Sequence, residues 1–157
     1  MEIYGDYQTS LIKALDEIDE NWRDYNGLVI AGSHTPKEVE FLINKIRYIR
    51  ENKLPFYGEC YGYQLATIEF ARNVLGIDNA TSEEFGQGTY VVKKRKELKV
   101  GLHNGESYWN NYEVVIEWQK PENFFIAQYH ASYQSSIDKP HELILSFLRY
   151  AKGQSRA

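Results

Sequence analysis

One cysteine in 157 residues leaves no partner for an internal disulfide and no thiol set for a multi-cysteine zinc site. A lone thiol points to a reducing, cytoplasmic compartment. No apolar run nears the ~20 residues of a membrane span, and no signal peptide opens the sequence. Positive charge is in short supply. Eighteen Lys and Arg against 22 Asp and Glu give a net −4, which argues against a general nucleic-acid binder. Repeats, low-complexity tracts and Pro/Gly-rich linkers are all missing, so residues 1–157 read as a single domain. The 43% hydrophobic and 25% charged content excludes global disorder. The 15% aromatic content is high, but the thirteen Tyr are scattered from end to end, and a thick aromatic core explains them as well as a binding role does.

The first half alternates helix and strand. Leu11, Ile12, Leu15 and Ile18 share one face of a helix over 9–20, with Thr9 or Ser10 as its cap. The run 27–32, apolar between two glycines, predicts a strand buried on both faces of a parallel sheet. A helix over 36–52 follows, with Val39, Phe41, Leu42, Ile46 and Ile49 as its apolar positions. Residues 54–58 predict a second buried strand, and 61–75 a helix closed by Gly76. This order implies a mostly parallel, Rossmann-like α/β sheet with helices on both faces. The second half predicts a small antiparallel or edge portion from strands at 88–92 and 114–118, then a buried strand at 124–128 and a helix over 140–151. The basic run Lys93-Lys94-Arg95-Lys96 reads as a solvated hairpin tip, with anion binding as the alternative.

The sharpest feature is Gly58-Glu59-Cys60-Tyr61-Gly62, between a predicted strand and a predicted helix. That is the pattern of a nucleophile elbow with Cys in place of Ser. A tight turn there exposes the side chain at the sheet's C-terminal edge, and small flanking residues relieve the crowding. The following helix dipole favours the thiolate, and the Tyr61 N–H becomes an oxyanion donor. The competing reading is a buried structural cysteine. A thiolate that attacks a carbonyl also needs a base. His130 follows the strand at 124–128, and His34 follows the strand at 27–32, so both reach the edge where open α/β sheets hold their sites. His103 and His141 lie in a loop and at a helix start.

Leu54 to Gly76, LPFYGECYGYQLATIEFARNVLG, resembles the nucleophile segment of class I (triad) glutamine amidotransferases, and most of all the glutaminase domain of CTP synthases. Gln64-Leu65-Ala66, the stretch Ile68 to Gly76 and Thr81-Ser82-Glu83-Glu84-Phe85 carry the likeness; so do Tyr7 to Leu15, Ile46 to Lys53 and Phe125 to His130. The resemblance covers nearly everything outside 86–110. It implies a Cys-His-Glu triad that hydrolyses the side-chain amide of glutamine, without metal or cofactor. Gly32 and Ser33 fall on the oxyanion loop, Gln64 at the substrate site, and Glu84 where the substrate's amino group is recognised.

Departures from the family pattern are equally specific. Its His-Pro-Glu reads here as His130-Ala131-Ser132, so a hydroxyl stands at the triad carboxylate's position. Ser33 replaces the second of two oxyanion-loop glycines, with His34 next to it. An apolar residue before the nucleophile has become Glu59. The arginine that grips the substrate carboxylate precedes a Tyr-Glu-Val in the family, and Asn110-Asn111 precede Tyr112-Glu113-Val114 here. The synthase domain is missing, so the chain is not expected to make CTP alone.

Glu59 beside Cys60 raises the thiol pKa by like-charge repulsion unless another group neutralises it. It can pair with His34 or His130 and replace the lost carboxylate, or point away along the strand. With Glu84 it also makes a more acidic pocket, suited to an amine or a cationic amide. On these residues Ser132→Glu is expected to raise any glutaminase activity. Three functions fit. One is a cysteine-dependent hydrolase of glutamine or a related small-molecule amide. Another is a glutaminase subunit active only with a synthase partner or in a homo-oligomer. The last is a non-catalytic relative that binds a ligand or protein through the old site.

Overall fold

The two glycine-bounded apolar runs form the middle of a four-stranded parallel sheet. In a computed structural model, which describes residues 1–156, β1 (Glu2–Tyr4), β2 (Leu28–Ile30), β3 (Phe56–Glu59) and β7 (Phe124–Ala127) lie in the order β1-β2-β3-β7. All three pairings are parallel. A fully enclosed parallel strand has no polar face, which is why β2 reads as an unbroken apolar run.

Alternation along the strands feeds two cores. Leu28, Ile30, Phe56 and Phe124 face α2 (Val39–Glu51) and α3 (Tyr61–Asn73), while Val29, Ala31 and Tyr57 face α1 (Thr9–Ile18) and α4 (Glu142–Arg156). Helices therefore cover both faces, as expected. Arg50 of α2 and the buried Glu69 of α3 add a two-pronged ion pair at 2.7 and 3.0 Å across the helix interface.

A second sheet has the order β4-β5-β6, with β4 at Ala80–Ser82, β5 at Thr89–His103 and β6 at Glu106–Val114. β4 runs parallel to β5, and β5 and β6 form an antiparallel hairpin. Several expectations change here. The basic run 93–96 is no hairpin tip: β5 continues through it, and the turn is Asn104-Gly105, both at positive φ. The strand expected at 114–118 ends at Val114 instead. Its apolar residues serve another purpose, since Trp118 packs on Phe70 and Tyr63 and donates its Nε1–H to Thr67 at 3.0 Å. β1 and β4, three residues each, carried no readable pattern.

Helix boundaries differ for local reasons. Gln8 holds the cap position of α1 and spends its amide on Gly5 O at 2.7 Å, so neither Thr9 nor Ser10 caps the helix. The helix ends at Ile18, and the next turn, Trp22–Asp24, buries Trp22. α2 starts three residues later than expected because Glu38 sits at φ 54°. Phe41 is 48% exposed rather than core, with its ring against Tyr4 and Lys45.

Two glycine substitutions separate close packing from backbone freedom. A Cβ on Gly62 would lie 2.5 Å from Ile30 O, so Gly62→Ala is expected to lose stability at or above the range of about 1–3 kcal/mol for overpacking. Gly153, inside α4 with nothing within 4 Å of its added Cβ, should gain up to about 1 kcal/mol as Ala. Urea unfolding of the two variants checks both signs.

Candidate active site

β3 passes directly into α3 through Cys60, which takes φ 51° and ψ −97°. Such a backbone is strained for a residue with a side chain, and the surroundings enforce it. The strand N–H of Cys60 bonds Ala127 O at 2.8 Å, and its C=O already accepts Gln64 N at 3.0 Å. The turn is tight enough that a Cβ on Gly58 would meet Gly62 backbone carbon at 2.8 Å. The elbow predicted from Gly58 to Gly62 is therefore present as backbone geometry, at the C-terminal edge of the sheet.

Burial, however, dominates the thiol. Cys60 is 4% exposed, and desolvation, helped by the Glu59 charge, pushes it up to about 12. The Tyr61 N–H at the start of α3 pulls the other way and is outweighed. The thiolate expected from the helix dipole is thus not the resting form.

His130 stands at the same edge, three residues beyond β7, and is 1% exposed. Its backbone N–H donates to Ser107 O at 2.7 Å, and its ring stacks on Tyr133 with centroids 4.7 Å apart and planes at 5°. Gly32 lies flat against this ring, since a Cβ there would come 2.7 Å from Cε1. Neither ring nitrogen has a well-aligned hydrogen-bond partner among the described residues. Burial drops the imidazole to about 4, against a smaller opposing effect of the Trp109 main chain.

Glu59 does not point away into a polar patch. Its side chain is wholly buried, and its Oε1 accepts the Tyr57 hydroxyl at 2.6 Å and the Ser132 N–H at 2.7 Å. Oε2 accepts the Ser132 hydroxyl at 2.9 Å and lies 3.9 Å from His130 Nδ1. Of the two histidines weighed for it, the neighbour is His130. Burial raises the carboxyl pKa, and the three donors work against that rise. Because Ser132 faces Glu59, a carboxylate at 132 would sit against a second one. Ser132→Glu alone is therefore no longer expected to help. Glu59, held this way, does not line the cavity that holds Glu84.

The oxyanion loop is pinned from an unexpected direction. Asp6 accepts the Ser33 hydroxyl at 2.7 Å and also the Thr35 hydroxyl. Tyr7 N bonds Gly32 O at 3.0 Å. Ser33 needs no left-handed backbone, so it stands where the family has glycine without strain. His34 is half-buried between Tyr7 and Trp109, at centroid distances of 5.5 and 4.9 Å, and forms a wall. Gln64 lies beside Cys60, with Nε2 3.9 Å from its Sγ and 3.1 Å from Tyr112 O. Glu84 follows β4 and lines a cavity of about 570 Å³ with Arg72, Thr81 and Phe85. Burial pushes its carboxyl up to about 7. Asn110, beside the lost arginine's position, is buried and spends its amide on Gln128 O at 2.8 Å, while Asn111 is exposed.

Sequence reasoning passed over Tyr57, Asp6, Trp109, Tyr133 and Gln134. Tyr57 carried a signal, because residues two apart on a strand share a face. Gln134 docks the hairpin onto the site, accepting Ser107 N at 3.1 Å and donating to Gly105 O at 2.6 Å. Nothing local in the sequence announces that contact. No group of three or more His, Cys, Asp or Glu among the described residues is placed to hold a metal ion. No helix among them is long and apolar enough to cross a membrane.

Residues 6–149 match the family model for glutamine amidotransferase class I. A CTP synthase of Methanoregula boonei is 54% identical over 70 residues, 45% of this chain but 13% of that protein. One from Lactobacillus acidophilus is 28% identical across 88% of this chain and 36% of its own length. The chain thus spans well under half the length of these curated relatives. In three dimensions it is similar to the glutaminase domain of Trypanosoma brucei CTPS with bound acivicin. That likeness has a TM-score of 0.78 at 20% identity and covers 97% of this chain and 93% of that one.

Two measurements follow. Between the ordinary 4.5 and about 7, folded Glu84 holds a proton that the unfolded chain has released, so stability falls as pH rises through that window. Glu84→Gln should remove the fall, with Tm gaining on the wild type from pH 4 to pH 8. Iodoacetamide should alkylate wild-type Cys60 more slowly than a free thiol of pKa about 8.5. Tyr133→Ala, which strips the ring stacked on His130 and near Cys60, should raise that rate several-fold.

Proposed function

Because the chain belongs to the class I glutamine amidotransferase family, we propose that it is an amidotransferase module that hydrolyses a carboxamide through a thioester on Cys60. The observation that carries this reading is the strained elbow at Cys60, set on the same sheet edge as the buried imidazole of His130, whose nitrogens have no well-aligned hydrogen bond among the described residues.

With the thiol pushed up and the imidazole pushed down, the resting pair is neutral. The reaction then begins with proton transfer during attack rather than from a standing thiolate. Cys60 Sγ forms a bond to the amide carbon as His130 takes the thiol proton. The N–H groups of Tyr61 and of Gly32 or Ser33 hold the oxyanion. The C–N bond breaks, His130 gives its proton to the leaving ammonia, and water activated by His130 releases the acid and restores the thiol. Gln64 and Glu84 hold the unreactive end of the substrate. With no arginine before Tyr112, the carboxylate grip of the family is absent, so glutamine and amides lacking that carboxylate are both candidate substrates. An amine held by Glu84 binds more tightly above about pH 7, where that carboxyl is ionised.

The burial of Cys60 supports a second reading, in which the module works only when docked to a synthase partner or another copy of itself. A coupled ammonia assay over glutamine and small carboxamides, with Cys60→Ala as control, tests the hydrolase. Turnover by the isolated chain, abolished by Cys60→Ala, is the expected result. Acivicin is the first binding probe, read as a shift in Tm. Absence of both ammonia release and an acivicin shift would leave the partner-dependent or binding-only readings.

A further inference from the structure

We infer that the carboxylate supporting the catalytic histidine has moved in this chain from the turn after His130 to the nucleophile strand, where Glu59 is the positioning residue for His130 and Ser132 holds it in place. This rests on the amide-hydrolase reading for its link to turnover, but its geometry stands apart from any substrate.

Three observations converge. First, an ionisable group buried as completely as Glu59 needs partners, and it has three donors: the Tyr57 hydroxyl and both the N–H and Oγ–H of Ser132. Second, neither buried ring nitrogen of His130 has a well-aligned hydrogen bond among the described residues, the Trp109 main chain acting on the ring only weakly. Its one carboxylate at ion-pair range among the described residues is Glu59, 3.9 Å from Nδ1. That spacing serves an ion pair and is too long for a hydrogen bond. Third, Ser132 occupies the sequence position of the family's triad carboxylate yet turns both its polar hydrogens to Glu59. No hydrogen bond joins its hydroxyl to the imidazole.

The proton bookkeeping gives this arrangement a purpose. When His130 takes the thiol proton, a cation forms in a site closed to water. A bare imidazolium there is costly, and a carboxylate beside Nδ1 offsets that cost. Glu59 supplies the charge without itself taking the proton. By its charge, at 3.9 Å, it favours the tautomer with the proton on the nearer Nδ1, which leaves Nε2 as the base. The titratable groups facing Glu59 are Tyr57, Cys60, Tyr129, His130 and Tyr133.

A purely structural Glu59 would hold the turn 131–134 to β3 and leave the imidazole indifferent. The full chain, labelled with ¹⁵N, distinguishes the two roles through long-range ¹H–¹⁵N spectra of His130 at pH 7. The variants are Glu59→Gln, Glu59→Leu and the double variant Glu59→Leu/Ser132→Glu, which rebuilds the family's arrangement. Wild type and the double variant should both show the proton on Nδ1, and Glu59→Gln a mixture of tautomers. If Glu59→Leu fails to fold, Glu59→Gln, which keeps the shape and an acceptor for Ser132, carries the comparison alone. In an amide assay Glu59→Gln should lower kcat by about 10²–10⁴-fold with KM little changed. The double variant should recover at least tenfold over Glu59→Leu. A wild-type tautomer ratio retained in folded Glu59→Gln overturns the assignment. Lack of turnover in the wild type would instead count against the hydrolase reading, and the His130 spectra would still decide the role of Glu59.

Discussion

The close approach of Gly62 to Ile30 O is the constraint from which the rest of the site follows. Without a Cβ at 62, α3 starts directly against β2, and the chain must reverse within one residue of the end of β3. Cys60 absorbs that reversal at φ 51°. Strand alternation then continues up to the turn. Tyr57 and Glu59 project to the α1/α4 side, and Phe56 to the α2/α3 side. The register Glu59 to Ala127 brings the end of β7, and His130 beyond it, to the edge that holds Cys60. One steric contact thus orders the thiol, the imidazole and the buried carboxylate on a single edge.

Desolvation sets the electrical state of these groups. In water a thiol next to a helix N-terminus loses its proton more readily, and an imidazole near neutrality is half charged. Here both are enclosed, and burial outweighs the local donors. The thiol rises to about 12 and the imidazole falls to about 4. Glu59 is enclosed too, but three donors moderate its rise. The site at rest therefore keeps its protons on sulfur and off His130.

The β5–β6 hairpin completes the enclosure. Ser107 O accepts His130 N–H, Gln134 ties down the hairpin through Ser107 and Gly105, and Trp109 lies on His34 and Tyr7. This is the stretch where likeness to the family was weakest. Its residues read by periodicity as a short strand and a solvated basic tip. Only the base of the ribbon, at Val91, Val92, Tyr112 and Val114, reaches the core, and its far half is largely exposed and carries little local pattern, which is why its length and docking were not legible. Trp118 failed as a strand residue for a related reason: its half-buried ring packs on α3, not on a neighbouring strand.

By itself, the sequence determined the parallel sheet, the helices on both its faces, the elbow at Cys60 and the position of His130 at the same edge. Those features depend on local rules, namely apolar runs, glycine spacing and strand-to-helix order. It also exposed the substitutions at positions 59 and 132 as two separate departures from the family. Only the tertiary structure joined them. Glu59 and Ser132 are 73 residues apart, and β3–β7 pairing brings them within hydrogen-bond distance. The same pairing put Glu59 beside His130 rather than His34 and tied Ser132 to that carboxylate. Sequence spacing carries no information about contacts of that range, because they exist only once the sheet has closed.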